Sequence, residues 1–96
     1  MADVGLGTDP ATREQRLRNR LVTRFAPLEL VIEDQSHLHA GHAGAAGGHG
    51  HYRLRIVSEA FRGMATLARH RLIYAALDDM LTTDIHAVAI EALSPP

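Results

Sequence analysis

The sequence predicts an α+β domain in which helices cover one mixed three-stranded sheet. Two segments have apolar residues at helical spacing, and three shorter segments have the alternating or continuous apolar pattern of strands. They follow one another as helix, strand, strand, helix, strand. A chain of 96 residues can build one modest core. We therefore expect one domain over 12–93, a flexible N-terminal tail at 1–11 and a short C-terminal tail at 94–96.

The first helix is predicted over 12–25. Thr12 and Gln15 have the spacing of a capping box, in which each side chain satisfies a backbone donor of the first helical turn. Pro27 then ends the helical pattern. The apolar side chains that recur at helical spacing are Leu17, Leu21, Val22 and Phe25. This pattern predicts an amphipathic helix whose arginines lie mostly outside its apolar stripe.

Two alternating segments on either side of a long loop predict an antiparallel hairpin. The apolar positions of the first segment are Leu28, Leu30 and Ile32, and those of the second are Tyr52, Leu54 and Ile56. Between them, 36–50 consists largely of glycine, alanine and histidine, which cannot fill a core. Hairpin loops of this length are usually functional or disordered.

The second half of the chain predicts a helix and a last strand. A short helical turn at Ser58–Phe61 is broken at Gly63, and a longer helix then runs to about Leu81. Its predicted core face consists of Leu67, Tyr74, Leu77 and Leu81, with Ile73 and Met80 flanking it. The segment 85–93 is apolar at both alternating sets of positions, which is typical of a covered strand. A strand–helix–strand crossover makes the last two strands parallel.

Composition excludes several functions. The chain has no cysteine, so disulfides, zinc–thiolate fingers and thiol nucleophiles are excluded. No apolar run approaches the roughly 20 residues that span a bilayer, and 1–11 lacks the pattern of a signal peptide, so we expect a cytoplasmic protein without membrane contact. No catalytic triad or paired-carboxylate spacing stands out, and Asp78 and Asp79 read as solvated helix residues. We expect a binding protein and not an enzyme.

Seven histidines suggest a metal site. Five lie in or beside the loop: His37, His39, His42, His49 and His51. Imidazole is a common ligand of transition metals, but such a loop can equally be low-complexity polar sequence. His86 begins the last strand at the same end of the sheet, so it can approach the loop histidines, or it can simply share a strand face with Val88 and Ile90. His70 lies on the apolar helical stripe and is expected at the core edge.

Three segments resemble the BolA family signature and occur in the family's order. They are 58–63 (SEAFRG), 69–74 (RHRLIY) and 85–87 (IHA), and 34–36 (DQS) leads into the loop in the same way. The resemblance extends over about 12–93. It implies a class II KH-like fold, one mixed sheet covered by helices, which agrees with the order of elements predicted above.

The resemblance implies pairing with a monothiol glutaredoxin and a shared [2Fe-2S] cluster. The family's C-terminal histidine ligand corresponds to His86. Its loop histidine corresponds best to His39 by distance from Ser36, and next best to His42. In a complex, the glutaredoxin cysteine and glutathione can hold one iron while two imidazoles hold the other, as in Rieske-like ligation.

Further functions remain open. BolA proteins are also transcriptional regulators, and Arg62, Arg69 and Arg71 would then contact DNA phosphates. These three belong to a basic segment, 53–71, that predicts a local basic face on a chain of near-neutral net charge. The loop with His86 could also bind zinc or another divalent metal directly, and a homodimer is compatible with everything above.

Overall fold

The computed structural model describes residues 10–35, 50–83 and 85–96, with the backbone alone for 10–12, 83 and 86. The helices are α1 (Pro10–Phe25), α2 (Thr66–Leu77) and α3 (Met80–Thr83), and the strands are β1 (Glu29–Asp34), β2 (Gly50–Val57) and β3 (Ile85–Leu93). A single 3₁₀ turn, Glu59–Phe61, follows β2. Within these residues, every helix is too short or too polar to cross a membrane.

The three strands form one mixed sheet in the order β1-β2-β3. β1 and β2 are antiparallel, with Glu29 opposite Val57 and Asp34 opposite Tyr52. β2 and β3 are parallel, and their paired residues run from Gly50 and Ile85 at one end to Val57 and Leu93 at the other. The predicted α+β class, the mixed sheet and both strand directions are therefore confirmed.

The core lies between the helices and one face of the sheet. Every second residue of β2 is buried there, because alternate side chains of a strand point to the same face. The rings of Phe25, at the end of α1, and Phe61 have centroids 5.1 Å apart. The buried apolar residues are Leu17, Leu21, Phe25, Tyr52, Leu54, Ile56, Phe61, Ile73, Leu77, Met80, Ile85 and Ala92.

The start of α1 differs from the prediction. The helix begins at Pro10, so Thr12 lies inside it and the capping-box interpretation is wrong. Proline suits the first turn, where its missing N–H would have no helical acceptor. The side-chain amide of Gln15 instead donates to Asn19 Oδ1 at 2.9 Å. The predicted end at Phe25 is confirmed.

The second predicted helix is two helices. α2 ends at Leu77, where Asp78 has φ 46°, and α3 follows. Asp78 and Asp79 therefore form the junction and are not part of an exposed helix face. Arg20 of α1 ties this junction down, since its Nη1 donates to Leu77 O at 2.5 Å and lies 2.8 Å from Asp79 Oδ1.

Three burial predictions are wrong, in α2, in β3 and at Leu28. Leu67 and Tyr74 of α2 are 61% and 42% exposed, whereas the buried residues of this helix are Ile73 and Leu77. Since α2 carries apolar residues around its whole circumference, spacing alone did not define its core face. β3 is an edge strand whose second face is open, with Ala87, Ala89 and Glu91 exposed on it. Leu28, predicted in the buried set, is 70% exposed just before β1.

Candidate functional site

The loop end of the sheet is the end where β1 stops and β2 and β3 start. The backbone N–H of Gln35, just after β1, donates to His51 O in β2 at 2.7 Å. Gly50, the first residue of β2, is opposite Ile85, the first residue of β3. The chain therefore re-enters the sheet at Gly50, next to the start of β3, as the predicted topology requires.

A β-bulge places His86 at this end. Gly50 pairs with Ile85 and His51 pairs with Ala87, so His86 is an additional residue without a partner on β2. Strict alternation would put Ile85 and Ala87 on the same face, yet Ile85 is buried in the core and Ala87 is exposed. The bulge resolves this conflict and sets the backbone of His86 next to Gly50 and His51.

The predicted ligands can be placed only in part. The backbone of His86 lies at the loop end, while its side chain is outside the described part of the structure. His39 and His42, within 36–49, also lie outside the described residues. Among the described residues, no group of three or more histidine, aspartate or glutamate side chains could hold a metal ion. His70 is half-buried on α2, in agreement with its predicted position at the core edge.

A buried polar cluster lies under the loop end. Arg13, in the first turns of α1, is only 3% exposed, although the helical pattern placed it off the apolar stripe. Tyr52 (2% exposed) lies beside it on the core face of β2, and His51 (9% exposed) is the preceding residue of the same strand. Burial raises the pKa of the Tyr52 hydroxyl, and the negative charge of Asp34 raises it further, while the Arg13 guanidinium partly offsets both.

Gly50 is required by this cluster. A Cβ at Gly50 would lie 2.7 Å from Nη1 of Arg13 and would clash with the ring of Tyr52. A side chain at this position would force the Tyr52 ring and the Arg13 guanidinium to move from the places that they occupy here. The group of Arg13, Gly50 and Tyr52 was not predictable from the sequence, because a helical pattern does not show which charged residue at the start of a helix is buried.

The predicted DNA-contacting arginines have different environments. Arg62 forms a two-pronged ion pair with Glu59, at 2.7 and 3.0 Å, which lowers the pKa of that carboxyl. Arg69 donates to two backbone carbonyls, Met64 O at 2.8 Å and Ala92 O at 2.9 Å. Arg71 is exposed, with no hydrogen bond or ion pair to any described residue. Of the three, Arg71 is the best placed to meet an external phosphate.

The other two arginines of the predicted basic face lie on the open face of the sheet, the face away from the helices. Arg55 is 3.5 Å from Glu29 on β1 and 3.1 Å from Glu91 on β3, and both carboxylates raise its pKa. Arg53 is exposed. The basic segment 53–71 is therefore spread over the sheet, a turn and α2, and much of its charge is already compensated.

Comparison with known proteins identifies the family. The BolA-like protein family matches residues 21–96. The chain is 47% identical over 89 residues to SufE-like protein 1 of Arabidopsis thaliana, covering 88% of this chain, and 44% identical over 86 residues to BOLA1 of the same plant, covering 86%. The protein belongs to the BolA family.

Solved structures agree with this assignment. The BolA domain of Arabidopsis SufE1 superposes with a TM-score of 0.78 at 45% identity, over 88% of this chain and 93% of that domain. BolA1 of Mus musculus gives 0.70 at 39% identity, over 85% of this chain and 64% of that one. The chain spans 24% of the full length of SufE-like protein 1 and 54% of that of BOLA1. The shared part is thus the BolA domain.

Proposed function

We propose that this BolA-family protein partners a monothiol glutaredoxin and shares a [2Fe-2S] cluster with it through His86 and one loop histidine, His39 or His42. The observation that carries the proposal is the bulge at His86. It places the backbone of this residue beside Gly50 and His51, where the histidine-rich segment rejoins the sheet. Gly50 and His86, although distant along the chain, are thereby neighbours at one end of one sheet.

The donor set fits a shared cluster. The chain has no thiol, so the thiolates of such a cluster must come from the partner protein and glutathione, and its histidines can supply imidazole nitrogens for the remaining positions. The bound cluster would supply a redox-active iron centre. This chain acts by binding, with neutral imidazoles as its ligands, and carries out no catalytic turnover of its own.

The described residues around the bulge would position the ligands. The Gln35–His51 backbone bond fixes where the loop leaves the sheet, and the packing of Arg13 and Tyr52 on Gly50 fixes where it returns. Ile85 anchors the start of β3 in the core directly before His86. Metal ligands held by packed neighbours need less ordering when the metal binds.

Reconstitution with a monothiol glutaredoxin and glutathione tests the proposal. The visible absorption and circular dichroism of the glutaredoxin-bound cluster should change when the wild-type chain is added. His86→Ala should abolish the change, and the matched control His70→Ala, on α2, should retain it. Single His39→Ala and His42→Ala variants identify the loop ligand. An unchanged wild-type spectrum, or a full change with His86→Ala, would refute the proposal.

Direct binding of a divalent metal is a second candidate from the same residues. It needs only His86 and the loop histidines of the isolated chain. Calorimetric titration of zinc into the chain alone tests it, with His86→Ala expected to weaken binding at least about tenfold if imidazole ligation is responsible. Heat of binding that is unchanged in His86→Ala would assign zinc to the loop alone.

DNA binding is a third candidate, and the observation that favours it is Arg71, which is exposed and has no hydrogen bond or ion pair with a described residue. Arg62 and Arg69 support it less, because each already has partners within the chain. If Arg71 contacts phosphate, Arg71→Ala should weaken duplex binding at low salt while His86→Ala should not. A chain that does not retard duplex DNA at low salt would exclude this function.

The cytoplasm is the location we propose for the chain. The Arabidopsis relatives carry the names chloroplastic and chloroplastic/mitochondrial, so fractionation of the source cells is the direct test. Recovery of the chain in an organelle fraction would correct this part of the proposal and leave the ligand assignment intact.

A further inference from the structure

The outer edge of β3 presents unpaired backbone groups. The N–H of Ser58 donates to Leu93 O at 2.9 Å, so Leu93 directs its backbone groups toward β2. Because successive strand residues point to alternate sides, Val88, Ile90 and Ala92 direct theirs away from the sheet. β3 is the last strand in the sheet order, and no described residue bonds the outward groups of Val88 and Ile90. Such an edge is a template for another extended strand.

Arg69 limits the length of this open edge. Its Nη1 donates to Ala92 O at 2.9 Å, so the outward carbonyl nearest the end of β3 is already engaged. The open part therefore centres on Val88, Ala89 and Ile90. This part of β3 contains no proline, lysine or arginine, the residues that commonly protect edge strands from pairing. A short partner strand could dock here without displacing any bond that the structure contains.

The side chains beside this edge offer little steric or electrostatic resistance. On the open face of the sheet, Ala87 and Ala89 present only methyl groups, and the carboxylate of Glu91 is already bonded to Arg55. Arg53 lies next to Ala89 in register and lines, with Ala89 and Glu91, a depression of about 200 Å³. It has no hydrogen bond or ion pair with a described residue.

We propose that β3 pairs antiparallel with β3 of a second copy of this chain, around a two-fold axis at Ala89. The two three-stranded sheets then form one continuous six-stranded sheet. In this register Val88 pairs with Ile90 of the partner subunit, and Ile90 pairs with Val88 of the partner subunit. These two pairs form about four backbone hydrogen bonds, which satisfy the outward backbone groups of both strands. Ala89 faces Ala89 of the partner subunit.

β3 is complementary to β3 of a second copy of the chain, which favours a second copy over an unrelated strand as the partner. On the core side the facing residues are Val88 and Ile90, both apolar and both half-buried in the monomer. On the open face the central contact is methyl against methyl. The same register places Glu91 of the partner subunit opposite Ala87. Arg53, next to Ala89 on the same face, can extend over these small alanines toward that carboxylate. An isologous interface of this kind is the commonest form of protein self-association.

Sedimentation analysis of the full chain between about 10 µM and about 1 mM tests the dimer, since a small edge interface is expected to associate weakly. Ala89→Lys and Ala89→Glu should each raise the dissociation constant at least about tenfold, because like charges would then face each other on the axis. An equimolar mixture of the two variants should restore the dimer, because lysine then faces glutamate. The matched control, Val31→Lys, adds the same charge to the same face at the opposite edge and should dimerise like the wild type.

Amide hydrogen exchange gives a readout without substitution. The outward amides of Val88 and Ile90 should exchange more slowly as the concentration rises, while those of Leu30 and Ile32, which point away from β2 at the β1 edge, should not change. A wild-type chain that stays monomeric up to about 1 mM overturns the proposal. So does a dimer that Ala89→Lys and Ala89→Glu leave intact, or a mixture of the two that fails to restore association.

Discussion

The two ends of the sheet are held in different ways. At the end away from the loop, the buried hydroxyl of Ser58 donates to Phe25 O at 2.7 Å and accepts from the N–H of Ala60 at 3.0 Å. Arg69 links two further backbone segments there through their carbonyls. At the loop end, the comparable position contains a bulge, a crowded glycine and a group of buried polar side chains, including Arg13 and Tyr52.

The two ends are therefore expected to respond differently to substitution. At the end of the sheet away from the loop, short hydrogen bonds join neighbouring elements and two aromatic rings pack together. We therefore expect the residues of this far end to stabilise the fold. The loop end contains the polar side chains and the irregular strand that a ligand site needs, and its regularity is lower. We therefore expect substitutions at the far end to act mainly on the free energy of unfolding, and substitutions at the loop end to act on ligand binding as well.

The largest expected effect is that of Phe61→Ala. This ring is fully buried against Phe25 and the core, so its removal leaves a cavity and should lower the free energy of unfolding by about 3–5 kcal/mol. Urea unfolding measures the change. Phe61→Leu, which fills most of the space, should recover more than half of it. A loss below about 1 kcal/mol in Phe61→Ala would show that the far end is less tightly packed than its contacts indicate.

Ser58→Ala should cost about 2 kcal/mol. It would leave the buried carbonyl of Phe25 without its donor and remove the acceptor for the N–H of Ala60. Thr82→Ala is the matched control, because its hydroxyl also donates to a backbone carbonyl, at 2.9 Å, but in an exposed position where water can replace it. Its expected cost is under about 0.5 kcal/mol. Equal losses in the two variants would contradict the role of burial at Ser58.

Gly50→Ala tests the loop end and should cost about 1–2 kcal/mol, because the new methyl group meets the Tyr52 ring and Arg13. It should also weaken the cluster or zinc signal of the chain at a temperature where the protein remains folded. Gly63→Ala has open space around it but a φ of 79°, so it should cost about 1 kcal/mol through backbone strain and leave ligand binding unchanged. Weakened binding in both variants would mean that stability alone, and not the loop-end geometry, controls the site.

The smallest effect concerns pH and the α2–α3 junction. The Arg20 guanidinium lowers the pKa of Asp79 below its ordinary value of 3.8, so the folded state favours the ionised carboxyl. Its stabilising contribution is present above that pH and is lost as the pH falls through the lower folded-state pKa. Asp79→Asn should therefore be less stable than wild type at pH 6, and the difference should shrink near pH 3. Asp78→Asn, which removes the neighbouring charge, controls for net charge in the same urea titrations.

The sequence was sufficient for the order of elements but not for their exposure. Alternation in β1 and β2 reported burial correctly at Leu54 and Ile56, because one face of a central strand is always covered. The same reasoning failed for Leu67 and Tyr74, since α2 is apolar on all sides and only the position of α1 decides which side is inside. It failed for β3 because alanine is compatible with both a core and an exposed edge.

The candidate site was predictable at the level of topology. Parallel strands start at the same end of a sheet, which is why His86 could be placed near the loop from strand order alone. The bulge could not be predicted, because it depends on Ile85 reaching the core while Ala87 stays outside. The roles of Arg69 and Arg13 were also beyond the sequence, because both depend on carbonyl or ring neighbours that are distant along the chain.

The bulge in β3 makes the spacing of this segment as important as its composition. One additional residue shifts the phase of the strand, so that Ile85 and Val88 can both contribute to the core although they are three positions apart. Deleting His86 would therefore not simply remove an imidazole. It would also remove the bulge, because Ile85 and Val88 would then lie two positions apart and both face the core in a regular strand. The core contacts of β3 should therefore survive the deletion, while the local bend that the bulge gives to the loop end is lost.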